Sequence, residues 1–134
     1  SALDGVKKGI PSLARAEEVI QKVTKVGFQW PDENGPIAKL EEEINELKNE
    51  IKKGDIKKAG EEIGDLLFSV CNVAHFAKIS PEDSLRTFLA RFEKRFRHVE
   101  KRASSSGKDM KDHTLAELDT YWDEAKKLER EDRL

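Results

Sequence analysis

Two acidic pairs stand as near mirror images about a single glycine. Glu43 and Glu46 lie eleven and eight residues before Gly54, and Glu62 and Asp65 lie eight and eleven residues after it. If both flanks are helical and joined by a tight turn at Gly54-Asp55, the two helices must run antiparallel. Glu46 then comes level with Glu62, and Glu43 with Asp65. Within each pair the i, i+3 spacing puts both carboxylates on one helical face. Four carboxylates gathered in this way repel one another unless a cation holds them. Hard oxygen ligands suit Mg²⁺, with Mn²⁺ as the second choice.

The flanks do read as helices. Ser12 is the expected N-cap of a first helix reaching about Val26, with Gly27 in the left-handed C-terminal position. Residues 28–35 form a loop whose aromatics, Phe28 and Trp30, either stack on a base or tuck against the bundle. Pro36 suits the first turn of a second helix that ends near Lys53, with Ile37, Leu40, Ile44, Leu47 and Ile51 as its apolar stripe. Asp55 can cap a third helix to about Lys78. That segment is apolar on most sides (Ile56, Ala59, Ile63, Leu66, Leu67, Phe68, Val70), so it is expected to be central. Through it runs a polar stripe of Lys58, Glu61, Glu62, Asp65, Ser69 and Asn72. Burying such charges is costly unless they are paired or bind metal, so the stripe is expected to face a site.

Ser80-Pro81 opens a fourth helix with Leu85, Phe88, Leu89, Phe92, Phe96 and Val99 as its buried stripe. Residues 103–112 are expected to be a polar loop. Thr114 and Glu117 form a capping box for the last helix, on which Trp122 is a core anchor. No alternating strand pattern occurs. The fold class is therefore all-α, a bundle of about five helices over residues 12–134, with 1–11 as a linker or N-terminal extension.

Composition removes several classes of function. A chain of 134 residues has the size of one domain, and its net charge of −2 gives no general reason to bind nucleic acid or a membrane. No apolar run approaches the roughly 20 residues that span a bilayer, and a cytoplasmic location is expected. The single cysteine, Cys71, excludes an internal disulfide and reads as an inert core thiol. A di-iron bundle wants Glu-x-x-His on two helices. The residues three before His75, His98 and His113 are Asn72, Arg95 and Met110, so that chemistry is absent. His98 and His113 are expected at the surface and His75 at a helix edge. Arg91 and Arg95, at i, i+4, are by default solvated cations. Beside the acidic cluster they would form a phosphate clamp.

Glu42-Glu43-x-x-Glu46 followed by Glu62-x-x-Asp65 resembles the MazG family of nucleoside triphosphate pyrophosphohydrolases. Val26-Gly27-Phe28-Gln29-Trp30, Gly64-Asp65-Leu66-Leu67-Phe68 and Arg91-Phe92-Glu93-Lys94-Arg95-Phe96 are similar to MazG segments in the same order. The resemblance covers roughly residues 10–128. Ser1-Ala2-Leu3-Asp4 is similar to the junction before the C-terminal catalytic module of a two-domain MazG. The resemblance implies the all-α pyrophosphatase fold and Mg²⁺-dependent hydrolysis of an NTP or dNTP to a nucleoside monophosphate and pyrophosphate.

It also implies that Glu43, Glu46, Glu62 and Asp65 hold the metal. Lys39, Lys58, Glu61, Arg91, Arg95, Trp122 and Lys126 would contact the nucleotide or organise its pocket, joined by Asn72 from the polar stripe. Glu46 or Glu61 would be the general base, and sequence does not choose between them. Family members assemble as dimers or tetramers, so a homodimer or tetramer is expected. Two other readings stay open: a pyrophosphatase restricted to dUTP, dCTP or a modified nucleotide, and a non-catalytic helical interaction module with a solvated acidic face.

Overall fold

Helix boundaries fall where local chemistry stops or starts the backbone ladder. The computed structural model describes residues 1–134, with helices α1 (Ser12–Lys25), α2 (Asn34–Lys53), α3 (Ile56–Ala77), α4 (Pro81–Ser105) and α5 (Leu115–Arg130), plus a 3₁₀ turn at Met110–Asp112. No strand is present, in keeping with the all-α reading.

Gly54 closes α2 with a φ of +76°, and Asp55 caps α3 by accepting a 3.1 Å hydrogen bond from the Lys58 backbone N–H. Ser80 Oγ accepts from Asp83 N–H at the start of α4, and Thr114 Oγ1 from Glu117 N–H at the start of α5. Each satisfies an amide that a helix start otherwise leaves without a partner. The first cap differs from expectation. Pro11, in extended conformation, precedes α1 without a side-chain cap, and Ser12 is already helical. The second helix also starts earlier, at Asn34, so Gly35 lies within its first turn and not in the loop.

The chain divides into two compact units, Ser1–Ser84 and Leu85–Leu134. In the first, α3 packs along the whole of α2 and also against α1, so it is central as expected. Ile20, Ala59 and Cys71 are buried there. Its apolar surface is nonetheless not fully covered. Ile37, Ile44 and Ile51, seven residues apart on α2, remain exposed, and so do Ile63, Leu67 and Val70 on α3. A seven-residue repeat keeps a single seam on one side of a helix, and in each helix that seam is left partly open to solvent.

In the second unit α4 and α5 run antiparallel, tied by Arg95–Glu129 at 2.7 Å and Arg102–Glu124 at 3.2 Å. Three expectations need correction here. Of the α4 stripe only Val99 is buried, whereas Leu85, Phe88, Leu89, Phe92 and Phe96 are each more than 40% exposed. Phe88, Phe92 and Phe96 instead form an i, i+4 ladder of rings, with Phe92 also 5.1 Å from the Trp122 ring. Residues 103–105 extend α4, and the turn beyond them is ordered by His113. That histidine is buried, with its ring nitrogens 2.9 Å from the Asp109 carbonyl and 3.1 Å from Ser106 Oγ. His98 is also largely covered and lies 3.2 Å from Glu124. Neither is the surface residue its polar neighbourhood implied: the turn supplies partners that let the His113 ring be buried, and His98 Nε2 is shut off from solvent.

Candidate active site

The Gly54 turn sets the register of the α2–α3 hairpin and hence which acids meet. Asp55 N–H bonds Glu50 O at 3.1 Å and Gly54 N–H bonds Ile51 O at 3.1 Å, which closes α2 in a tight left-handed cap. Glu43 from α2 then faces Glu62 and Asp65 from α3, with one carboxylate oxygen of each lying within 4.8 Å of the others. Glu46 comes within hydrogen-bonding reach of Glu62 from the same side. Three acids of the mirror-image set therefore meet, and Glu46 acts on Glu62 from beside them. Glu42 is exposed and outside the clustered oxygens, though its carboxylate lies 3.7 Å from the same Lys39 ammonium.

Burial makes this cluster unlike a solvated acidic face. Glu43 is only 2% exposed. Both Glu43 Oε2 and Glu62 Oε2 are shut off from solvent, and neither has a hydrogen-bond donor in the protein. Lys39 Nζ, 3.0 Å from Glu43 Oε1, is the one cation in contact with the cluster. A buried carboxylate oxygen without a donor is expensive. The proton balance responds accordingly. Hydrogen bonding with Glu43, burial and then Glu46 push the Glu62 carboxyl up to about 8. Hydrogen bonds with Glu62 and Lys39 hold Glu43 below the ordinary glutamate value, and Glu43 in turn raises Lys39. The pair thus shares a proton near neutrality, the usual result when two carboxylates crowd one site. Orphaned buried oxygens and hard donors fit a divalent cation in the proton's place.

A cleft of about 670 Å³ opens directly beside the cluster, with Lys39, Glu43 and Asp65 in its wall. Phe68, Ser69 and Asn72 continue the α3 wall, Val19, Ile20, Val23 and Thr24 supply the α1 wall, and Gly27 to Trp30 form the rim. The site is thus a charged end joined to a largely apolar, aromatic-rimmed slot.

The span from residue 33 to residue 100, which holds all four acids, matches the MazG nucleotide pyrophosphohydrolase domain. The chain belongs to the MazG family. A Thermotoga maritima relative named nucleoside triphosphate pyrophosphohydrolase/pyrophosphatase MazG is 38% identical over 117 residues, covering 87% of this chain and 45% of the relative. An Escherichia coli K12 nucleoside triphosphate pyrophosphohydrolase is 34% identical over 131 residues, covering 96% of this chain and 50% of the relative. A Bacillus subtilis relative, the uncharacterized protein YabN, is 42% identical over 69 residues, or 52% of this chain and 14% of the relative. The chain spans about half the length of the first two.

Within this MazG domain the other residues picked out by sequence are placed unevenly. Lys39 and Asn72 line the cleft. Lys58 and Glu61 are exposed on the first two turns of α3, and Glu61 is not among the clustered oxygens. Arg91, Arg95, Trp122 and Lys126 belong to the second unit. There Arg95 makes a two-pronged pair with Glu129, at 2.7 and 3.0 Å, and lies over the Trp122 ring, while Arg91 lies over Phe88. Val19, Val23, Thr24 and Gln29 in the cleft wall were not anticipated. The three α1 residues signal only as a helix face that reads as core, and Gln29 only as part of the Val26–Trp30 segment.

Proposed function

We propose that the protein is a nucleoside triphosphate pyrophosphohydrolase whose active site is the Glu43–Glu46–Glu62–Asp65 cluster and the adjoining cleft. One observation carries the reading: carboxylate oxygens shut off from solvent and without donors stand beside a largely apolar slot with an aromatic rim. That polarity gradient matches a nucleotide, with triphosphate at the acidic end through a divalent cation and the base in the slot. Family membership and the names of the two relatives, about half of whose length the chain spans, support the same activity.

Glu43, Glu62 and Asp65, with Glu46 beside them, would hold Mg²⁺, which when bound supplies charge neutralisation at the phosphate oxygens and orientation of a water. In the reaction a water oxygen bonds to the α-phosphorus, the bond from that phosphorus to the α–β bridging oxygen breaks, and pyrophosphate departs with the electron pair. The water proton passes to a carboxylate. Glu46 is favoured over Glu61 because it reaches the cluster without joining its tight core, and a well-placed base contributes roughly 10²–10⁴-fold. Lys39, kept charged by Glu43, stands where it can turn to a phosphate oxygen. Arg91, Arg95, Trp122 and Lys126 are proposed as further nucleotide contacts; for Arg95 this requires sharing its guanidinium with Glu129.

The exposed seams on α2, α3 and α4 support a homodimer or tetramer, since isolated monomers seldom leave rows of Ile, Leu and Phe to water. The activity is tested by following monophosphate and pyrophosphate from each common NTP and dNTP with and without Mg²⁺. Release of orthophosphate in place of pyrophosphate, or metal-independent turnover, would overturn the reading.

A further inference from the structure

Gly35 has a role that its place in a helix does not announce. It lies in the first turn of α2, where glycine weakens a helix, and its backbone does not need a positive φ. The reason for glycine is space. A Cβ built on Gly35 would lie 2.4 Å from Cε3, 2.7 Å from Cδ2 and 3.1 Å from Cγ of the Trp30 indole. Those atoms are the body of a rigid ring, so the ring as a whole must leave if a methyl group arrives. Trp30 therefore rests directly on the α2 backbone at Gly35, and from there it forms part of the cleft rim.

The contact also aligns the ring with the charged end of the site. Gly35, Lys39 and Glu43 are four residues apart in turn and share one face of α2. Eight residues of helix advance about 12 Å, comparable with the reach of a nucleotide from its α-phosphate to the far edge of its base. Trp30 is 42% exposed despite its size, which leaves an indole face open for stacking, whereas a core anchor would be covered.

The geometry points to Gly35 as a positioning residue that seats Trp30 as the stacking wall for the nucleobase. This rests on the reading of the cleft as a nucleotide site, and the test separates the two. Steady-state pyrophosphate release is measured for the wild type, Gly35→Ala, Trp30→Ala and the double variant, with ATP and Mg²⁺. Stacking against a base is binding shared by ground and transition states. Gly35→Ala should therefore raise KM about tenfold and leave kcat within about twofold. In the Trp30→Ala background the same substitution should add nothing, because the ring it displaces is gone.

Additive effects, or an unchanged KM for Gly35→Ala, would overturn the proposal. If Gly35→Ala does not fold alone, the double variant must fold, since removing the indole makes room for the methyl; failure of both would refute the seating. A binding readout is independent of turnover. With Trp122 retained, a non-hydrolysable ATP analogue should quench the part of the intrinsic emission that Trp30→Phe removes, and Gly35→Ala should weaken that titration about tenfold. Absence of turnover with quenching intact would sink the proposed reaction while the Gly35–Trp30 role stands. Turnover without quenching would do the reverse.

Discussion

Proton release on metal binding is the sharpest consequence of the crowded acids. With its carboxyl at about 8, Glu62 is protonated in about nine molecules of ten at pH 7 when no cation is bound. A divalent ion must displace that proton to use the oxygen it covers. Mg²⁺ affinity should therefore rise about tenfold per pH unit well below pH 8, or about 50-fold between pH 6 and 8, and level off above. Calorimetric titration in two buffers of different ionisation enthalpy counts the protons. About one per ion is expected at pH 6.5, about half at pH 8 and none near pH 10. Glu62→Gln should abolish the release and weaken binding. Folding stability of the metal-free protein depends on the same proton. Because the folded value lies above the ordinary 4.5, the contribution of Glu62 is fully present below about pH 4.5 and is lost as pH rises through about 8. Glu43, shifted the other way, acts in the opposite sense at acid pH. An Mg²⁺ affinity independent of pH between 6 and 8, with no proton released, would refute the shared-proton account.

The remaining expectations concern separate parts of the molecule. Asp65→Asn should reduce Mg²⁺-dependent pyrophosphate release by at least about 100-fold with an unchanged helical circular-dichroism spectrum; near-normal turnover would remove Asp65 from the site. Lys78→Gly should raise stability in urea by about 0.5–1 kcal/mol, because Lys78 ends α3 with a φ of 59°, a conformation costly for a residue with a Cβ. His113→Ala should cost about 1–3 kcal/mol in the same assay, through loss of its contacts to Ser106 and Asp109. Leu67→Glu, on the open α3 seam, should shift the light-scattering mass of a homo-oligomer toward the 15.3 kDa chain, and an unchanged oligomer would exclude that seam from the interface.

Legibility in the sequence tracks the range of the interactions involved. Gly54, Asp55, Ser80 and Thr114 act on amides a few residues away, so their turns and caps could be read directly, and so could the antiparallel hairpin that joins the acids. Pro11 and Asn34 moved two helix starts by a residue or two, within the competition between neighbouring capping residues. The aromatics were less legible. Periodicity identified the stripe of Phe88, Phe92 and Phe96 but not whether anything covers it, because an apolar stripe reads alike whether it faces a core, a partner or water. His113 failed for the complementary reason: its partners, Asp109 and Ser106, look like loop residues until the chain folds them around the ring.

The helical hairpin and the meeting of Glu43, Glu62 and Asp65, with Glu46 beside them, were therefore set by the order of residues alone. Both depend on helical period and one turn, which are local and nearly independent of the rest. Packing in three dimensions determined the environment of that cluster: Glu43 is the most enclosed of the acids, two oxygens lack donors, and Lys39 is the cation at hand. Packing also made the acids the end of a cleft, by bringing α1 and the Phe28–Trp30 rim over them. Those features depend on which distant surfaces exclude water, and no spacing along the chain records that.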